Sequence, residues 1–589
     1  MLSRALLMLI PVLLPFCAPA QNSYGRFTGR VTDQQGATIL GAKVKIKQAE
    51  TNAAAATATN QEGVYDFLNQ LPGSYVLSVE FEGFKKHTRS GLALRVGDIV
   101  ELNIKLELGA VTDSVSVTAE SPMLETGSAS LGQVVDNRMI SEMPLAGRGV
   151  NYLMQLSPGA VSTNAPMHGW LPQARGSVSD FAVAGTRTRS SEFTLDGIPN
   201  MGGDGAIAFQ PPPEMIQEFR VQTAAYDASL GRFAGASVNM VLKSGSNAYH
   251  GTLWGSHLSR PLMTHPFFIN SNLYNTATDR PGETFEAKRS RLWPASRTNR
   301  YRVQVGGPVR IPKLFDGRNR TFFSYGNELM ERDFNNQTNT TVPTEEQRRG
   351  DFSRLLGLGA SYQIYDPASV VPAAGGRFQR TPLPGNIVPT SRISPIAQRL
   401  LPYYPLPNTP GSTDFRNNFV TATPALIDYW SHMLRADQVI NDRNRFYVSF
   451  STMRTDGNQD RTLNNNAIGG LSVNRYNSIG LDYVWTFNPS TVANFRYGVT
   501  RQANRGNGPT QGLDLTSLGL PASFANRLDK SLTALPEIDI GGIVTIGTNL
   551  PSKSGFTAQI VSGALAQTKG NHTLRYGGEY RVILDNSFN

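Results

Sequence analysis

The sequence predicts a mainly β protein in three successive parts: an N-terminal β-sandwich, a small α+β domain, and a long run of antiparallel strands. Three observations carry this expectation. Apolar and polar residues alternate at period two through much of the chain, as in strands with one buried face. Glycine is abundant, at 56 of 589 residues, while only 17% of residues are charged, a composition that suits turn-rich β-structure. After the first 20 residues no apolar segment approaches the roughly 20 residues that a membrane-spanning helix needs.

The N-terminus has one early charge, Arg4, an unbroken apolar run from Ala5 to Phe16, and then Ala18-Pro19-Ala20. A basic start, a short apolar run and a small-x-small site describe a secretory signal peptide over residues 1–20, leaving Gln21 as the mature start. A transmembrane anchor is the alternative, but the run is short and holds Pro11 and Pro15. The single cysteine, Cys17, leaves with the signal, so the mature chain has neither disulfides nor thiolate metal sites. An exported chain without a spanning helix is either released or inserted as a closed barrel. A mean hydropathy of -0.27 fits both outcomes.

The formal charge of +10 does not point to nucleic acid, which an exported protein rarely meets. The densest basic stretch, Lys288, Arg289, Arg291, Arg297, Arg300 and Arg302, lacks any recognition-motif pattern. It reads as a solvated loop, with contact to anionic lipid headgroups as the sharper reading.

Residues 21–110 form the first part. Alternation is clear at Val44 and Ile46, at Leu77, Val79 and Phe81, and over Val100, Leu102, Ile104, Leu106 and Leu108. Turns at Gln35-Gly36, Glu62-Gly63, Pro72-Gly73 and Gly97-Asp98 are spaced as in a small antiparallel sandwich. Residues 111–119 follow as an extended segment, either the last sandwich strand, a linker, or a strand that a partner's sheet edge can capture. Residues 120–249 mix types: Gly149 to Leu156 suggests a short helix, while Phe219 to Thr223 and Ala236 to Leu242 alternate as strands.

From His250 to the end the pattern becomes nine alternating strands between polar loops: Thr252–Leu258, Tyr301–Val305, Thr321–Leu329, His432–Gln438, Arg445–Ser451, Ser478–Trp485, Thr491–Thr500, Thr557–Ala566 and Thr573–Ile583. Several end in aromatic residues, as membrane barrels do at their girdles. The connection Glu331 to Asp428 is far longer than a compact domain normally carries.

Particular motifs add a resemblance to these readings. Gly29-Arg30-Val31-Thr32-Asp33, Gly63-Val64-Tyr65 and Leu71-Pro72-Gly73 resemble the carboxypeptidase regulatory-like domain, a non-catalytic sandwich. Gly147-Arg148, Leu156-Ser157-Pro158-Gly159, Gly185-Thr186-Arg187, Phe193-Thr194-Leu195-Asp196-Gly197, Gly231-Arg232 and Lys243-Ser244-Gly245 resemble the plug domain of TonB-dependent receptors. The order of sandwich and plug is similar to the Oar-like subgroup, and Gly306-Gly307-Pro308, Phe315-Asp316-Gly317-Arg318-Asn319 and His572-Thr573-Leu574-Arg575 continue the likeness. The resemblance implies that Asp113, Val115, Val117, Thr118 and Ala119 belong to a TonB box, although Ser114 and Ser116 depart from its small apolar pattern. It implies plug-motif roles for Arg148, Gly185, Arg187, Asp196, Gly197, Gly231 and Gly245, with Arg187, Arg189 and Asp196 as ligand contacts or as ion pairs between plug and barrel.

The expected architecture is therefore a sandwich, a plug and an incomplete transmembrane antiparallel barrel, since plugged transporters have about 22 strands. The function it implies is uptake of a small-molecule, carbohydrate or peptide ligand across the outer membrane of a Gram-negative-type bacterium, in contact with outer-membrane lipid and the TonB energy-transducing complex. A secreted or surface-attached sandwich protein for adhesion is the alternative. Catalysis is not expected: the 7 histidines are scattered, and no metal, cofactor or phosphate-binding motif emerges.

Overall fold

The computed structural model describes residues 24–109, 114–118, 131–143, 149–162, 181–224, 228–265, 267–276, 279, 282–459, 461–547 and 551–588. Residues 1–20, read from the sequence as a signal peptide, lie outside them.

The first part is a sandwich of two sheets. One contains β1 (Gly25–Thr32), β4 (Val64–Gln70), β7 (Ile99–Glu101) and β8 (Ile104–Lys105). The other runs in the order β3-β2-β5-β6-β9, with β2 at Lys43–Gln48, β3 at Ala54–Ala58, β5 at Gly73–Glu80, β6 at Lys86–Leu94 and β9 at Ser114–Thr118. The alternation seen in the sequence fills the space between them: Phe27, Val44, Ile46, Tyr65, Leu77 and Leu102 all lie in one buried cluster.

The middle domain is built on a five-stranded sheet, β10-β15-β16-β13-β14. These are β10 (Leu131–Asp136), β13 (Glu192–Leu195), β14 (Ile198–Pro199), β15 (Ile216–Ala224) and β16 (Ser237–Leu242), beside a two-stranded pair of β11 (Ala160–Ser162) and β12 (Phe181–Val183). Asp136 caps helix α1 (Asn137–Glu142) by accepting the Met139 N–H. The helix expected at Gly149 to Leu156 is a 3-10 turn, Val150–Leu156.

The last part is one antiparallel sheet of nine strands in chain order. They are β17 (His250–Ser259), β18 (Arg297–Pro308), β19 (Thr321–Thr340), β20 (Phe419–Asn441), β21 (Asn444–Gln459), β22 (Gly470–Asn488), β23 (Thr491–Asn507), β24 (Ser552–Lys569) and β25 (His572–Phe588). Every strand expected from the sequence is present, and each is longer than its alternating stretch. The two faces differ in character. One, packed on the middle domain, carries buried polar residues such as Arg300, Glu328, Arg435, Asp482, Arg496 and Thr500. The other presents Leu434, Phe450, Ile479, Trp485, Phe495 and Val561 outward. Apolar outside and polar inside is the inversion that a lipid-embedded barrel wall requires.

Connections alternate in length. Two-residue turns join β20 to β21, β22 to β23 and β24 to β25, while the intervening connections are long. The sandwich sits at the short-turn end, where Asn60 donates to the Gly570 carbonyl at 3.2 Å and Arg26 donates to Thr573 Oγ1 at 2.5 Å.

Two sequence readings need correction. The connection read as a polar loop from Glu331 to Asp428 is shorter, because β19 runs to Thr340 and β20 starts at Phe419. What remains is folded: Val342, Leu400 and Tyr404 pack with Leu463, Leu515 and Leu535 from neighbouring long connections into a cap with its own apolar core. The basic stretch Lys288 to Arg302 is not a solvated loop, because it runs through the helix Phe285–Leu292 and into β18, and its cations are paired. Lys288 pairs with Asp279 at 2.5 Å, Arg291 with Glu283 at 2.6 Å and Arg297 with Asp333 at 2.5 Å. Arg300 and Arg302 turn inward onto Glu328, at 3.4 and 2.9 Å.

Candidate functional site

The middle domain meets the nine-stranded sheet through the turn between β13 and β14. Its two central residues, Asp196 and Gly197, have φ of 51° and 77°, the left-handed pair that a two-residue hairpin turn of type I′ demands and that Asp-Gly supplies. Asp196 is fully buried. Its Oδ1 accepts from Arg435 Nη1 at 2.9 Å and from the Leu242 N–H at 3.0 Å, and its carbonyl accepts from the Tyr447 hydroxyl at 3.0 Å. Arg435, on β20, also pairs with Asp437 at 2.9 Å and lies 4.0 Å above the Tyr447 ring. Burial pushes the Asp196 carboxyl up, and the Arg435 guanidinium pulls against that shift.

Gly197 leaves no room for a side chain, because a Cβ there would overlap the Arg496 guanidinium. Arg496 is itself held by Asp482 at 2.7 Å with both side chains buried. Beyond the turn, Ile198 presses on the sheet at two glycines: a Cβ on Gly480 or Gly498 would come within 2.9 or 2.5 Å of its side chain. Thr500 Oγ1 donates to the Pro199 carbonyl at 2.8 Å, and Arg581 of β25 pairs with Glu192 of β13 at 2.7 Å. Apolar contact is added where Phe209 stacks on Tyr476 at 5.0 Å. The interface thus combines a few buried charge pairs with an apolar cluster in which Met330, Tyr429, Met433, Met453 and Tyr476 of the sheet join the core of the middle domain.

The sandwich is tied to the same domain by neighbouring side chains of β15. Glu218 accepts the Val96 N–H, while Arg220 donates to the Val96 carbonyl at 2.9 Å and pairs with Asp98 at 3.1 Å. The turn they clamp contains Gly97, at φ 73°, where a Cβ would lie 3.0 Å from Arg220 Nη1. Burial raises the Glu218 carboxyl to about 7, against the opposing pull of the Val96 N–H. Tyr24 of the sandwich reaches further, donating to Asp482 in the sheet.

Segment 111–119 contributes β9, which pairs in parallel with β6: His87 faces Val115 and Arg89 faces Val117. Among the described residues its other edge pairs with no strand. Val117 is 39% exposed there. The backbone of Thr118 lies in β9, and Asp113 and Ala119 fall outside the described residues.

The other residues singled out in the sequence divide into two groups. Gly245 packs against the sheet, where a Cβ would overlap the Phe323 carbonyl of β19. Gly185 and Gly231 border open space. Arg187 is exposed and does not reach the charge cluster, while Arg189 pairs within the middle domain with Asp204 at 3.5 Å. Arg148 lies outside the described residues. Sequence reasoning named Asp196 but missed Arg435, Tyr447, Asp482 and Arg496, each an inward position of an alternating strand. The available signal was a charged residue flanked on both sides by apolar strand residues: Leu434 and Ala436 around Arg435, Leu481 and Tyr483 around Asp482, Phe495 and Tyr497 around Arg496. Among the described residues no group of three or more potential ligands could hold a metal ion.

Residues 241–589 match the outer membrane β-barrel domain family, and residues 26–107 match the carboxypeptidase regulatory-like domain. The TonB-dependent transporter Oar of Myxococcus xanthus is 27% identical over 209 residues, covering 34% of this chain and 18% of Oar. Among solved structures, the outer membrane transporter YddB from Escherichia coli superposes with a TM-score of 0.45 at 10% identity, over 77% of this chain and 48% of that one. The ferric enterobactin receptor PfeA from Pseudomonas aeruginosa does so at 0.40 and 10%, over 77% and 49%. The chain spans about half the length of these structures.

Proposed function

Because the chain belongs to the outer membrane β-barrel domain family and is related to Oar, we propose that it serves ligand uptake across the bacterial outer membrane, driven by TonB, and not catalysis. The observation that carries this reading is the buried lock of Asp196 on Arg435 and Tyr447. It holds a separately folded domain against the polar face of a membrane sheet through charge pairs that can be opened and remade.

In this reading residues 120–249 are the plug and residues 111–119 the coupling segment. Pulling on β9 reaches the sandwich first, then the Glu218 and Arg220 clamp, then β15 and the sheet that carries Asp196. The exposed edge of β9 suits capture by strand addition, in which backbone hydrogen bonds supply affinity. Residues 1–20 direct export. The cargo is a small molecule, carbohydrate or peptide bound by plug and long connections. A soluble adhesin is disfavoured by the outward apolar face of the nine-stranded sheet.

Cysteine trapping tests the coupling. Val117→Cys in the full chain is mixed with the periplasmic domain of TonB carrying single cysteines along its own edge strand. The expected result is a mixed disulfide at one register and none two residues away; equal trapping at all positions, or none, rejects the coupling role.

A further inference from the structure

We propose that the outward face of the nine-stranded sheet carries a binding site for a phosphorylated lipid headgroup of the outer leaflet, formed by Arg454, Arg475, Arg501, Arg505 and Lys553. The five cations come from four consecutive strands, β21 to β24, and line one cleft at the long-connection end. Strand alternation places them on the same face as Phe450, Ile479, Phe495, Tyr497 and Val561, the apolar face turned away from the middle domain.

The register sets like charges directly opposite one another. Arg454 faces Arg475 across β21 and β22, and Arg505 faces Lys553 across β23 and β24. Such pairs are destabilising in the absence of an anion. Among the described residues only Arg454 of the five has a carboxylate partner, Asp456 at 2.9 Å. Arg501 donates to the Thr557 hydroxyl at 3.0 Å, and Arg505 reaches Asn507 at 3.4 Å, contacts that leave their charge uncompensated. Arg297 at the same end of the sheet is by contrast matched by Asp333 and Glu331.

Depth identifies the ligand. On β22, Arg475 and Trp485 both point outward ten residues apart, which is ~33 Å along an extended strand. With the usual tilt of about 35–45° this projects to about 25 Å, the height of the apolar band of a membrane barrel. Trp485 then lies at one interface and Arg475 at the other, level with lipid phosphates. Several guanidinium groups converging at that level suit a headgroup with more than one phosphate, because each planar fork can donate to two phosphate oxygens. The inference rests on the uptake reading, in which the long connections that bind cargo lie outside the cell, and is independent of coupling to TonB. A failed Val117 trap leaves it standing.

The test uses the full chain extracted from outer membranes into a mild detergent, titrated with diphosphorylated lipid A and with its dephosphorylated form. The native chain is expected to bind the diphosphorylated form at least tenfold more tightly. Arg475→Gln, Arg501→Gln and Arg505→Gln together should abolish that preference. The corresponding triple lysine variant should keep it to within about threefold, which shows that the surface still folds. Inorganic phosphate at millimolar concentration should not displace the lipid. Unchanged preference in the glutamine variant overturns the site, and displacement by inorganic phosphate overturns the lipid as its occupant.

Discussion

At the scale of single residues, Asp196 and Glu218 bear different loads. Asp196 neutralises a buried guanidinium, so Asp196→Ala leaves Arg435 with Asp437 alone in a dry site. Breaking a buried pair from one side costs about 3–5 kcal/mol. Loss of this size should appear as proteolysis of the middle domain at temperatures where the native chain resists, with the nine-stranded sheet still intact. Glu218 predicts a pH dependence. Its carboxyl titrates near 7 when folded and near 4.5 when free, so the folded state binds the extra proton between those values. The contact between sandwich and middle domain is therefore strongest below about pH 4.5 and weakens as pH rises towards 7. Glu218→Gln should remove that slope in hydrogen exchange at the Val96 amide, and an unchanged slope would contradict Glu218 as its source. None of these partnerships was legible in the sequence, because each joins residues from separate domains. Asp196 stood out only through the plug-domain resemblance of Phe193-Thr194-Leu195-Asp196-Gly197, which implied a ligand contact or an ion pair to the barrel without naming its partner.

At the scale of elements, alternation revealed all nine long strands but not their lengths. Beyond the apolar band the sequence of β19 becomes wholly polar, over Asn335 to Thr340, and period two fades while backbone pairing continues to Thr340 opposite Phe419. The cap formed by the long connections was illegible for a related reason. Its core residues Val342, Leu400, Leu463, Leu515 and Leu535 are scattered singly across three connections and form no periodic pattern. Turn glycines separate by what surrounds them. Gly197→Ala adds overpacking of about 1–3 kcal/mol and a left-handed backbone penalty of about 1–2 kcal/mol. Gly231→Ala meets open space and should stay within about 0.5 kcal/mol. Thermal unfolding of the two variants checks the contrast, and equal effects would mean that the turn is not pressed against Arg496. The segment around Val115 was readable as a strand, while its pairing with β6 was not, since many edges accept a short strand equally well.

At the scale of the whole molecule, three parts meet around one cluster of charge. The sandwich reaches Asp482 through Tyr24, the middle domain reaches Arg435 through Asp196, and the sheet supplies both arginines with Asp437 and Asp482. The order of parts and the strand count came from the sequence; their common centre came from the fold. The direct measurement of that centre is a disulfide between plug and sheet in isolated outer membranes. Ile198 lies against Gly498, and Cys17 is the chain's only cysteine, so Ile198→Cys with Gly498→Cys has little competing thiol chemistry. Mild oxidation should close this pair nearly completely and shift the band on a non-reducing gel, with neither single variant shifting. Two free thiols that persist in outer-membrane protein, both reacting with a soluble maleimide, would contradict a plug seated on the sheet.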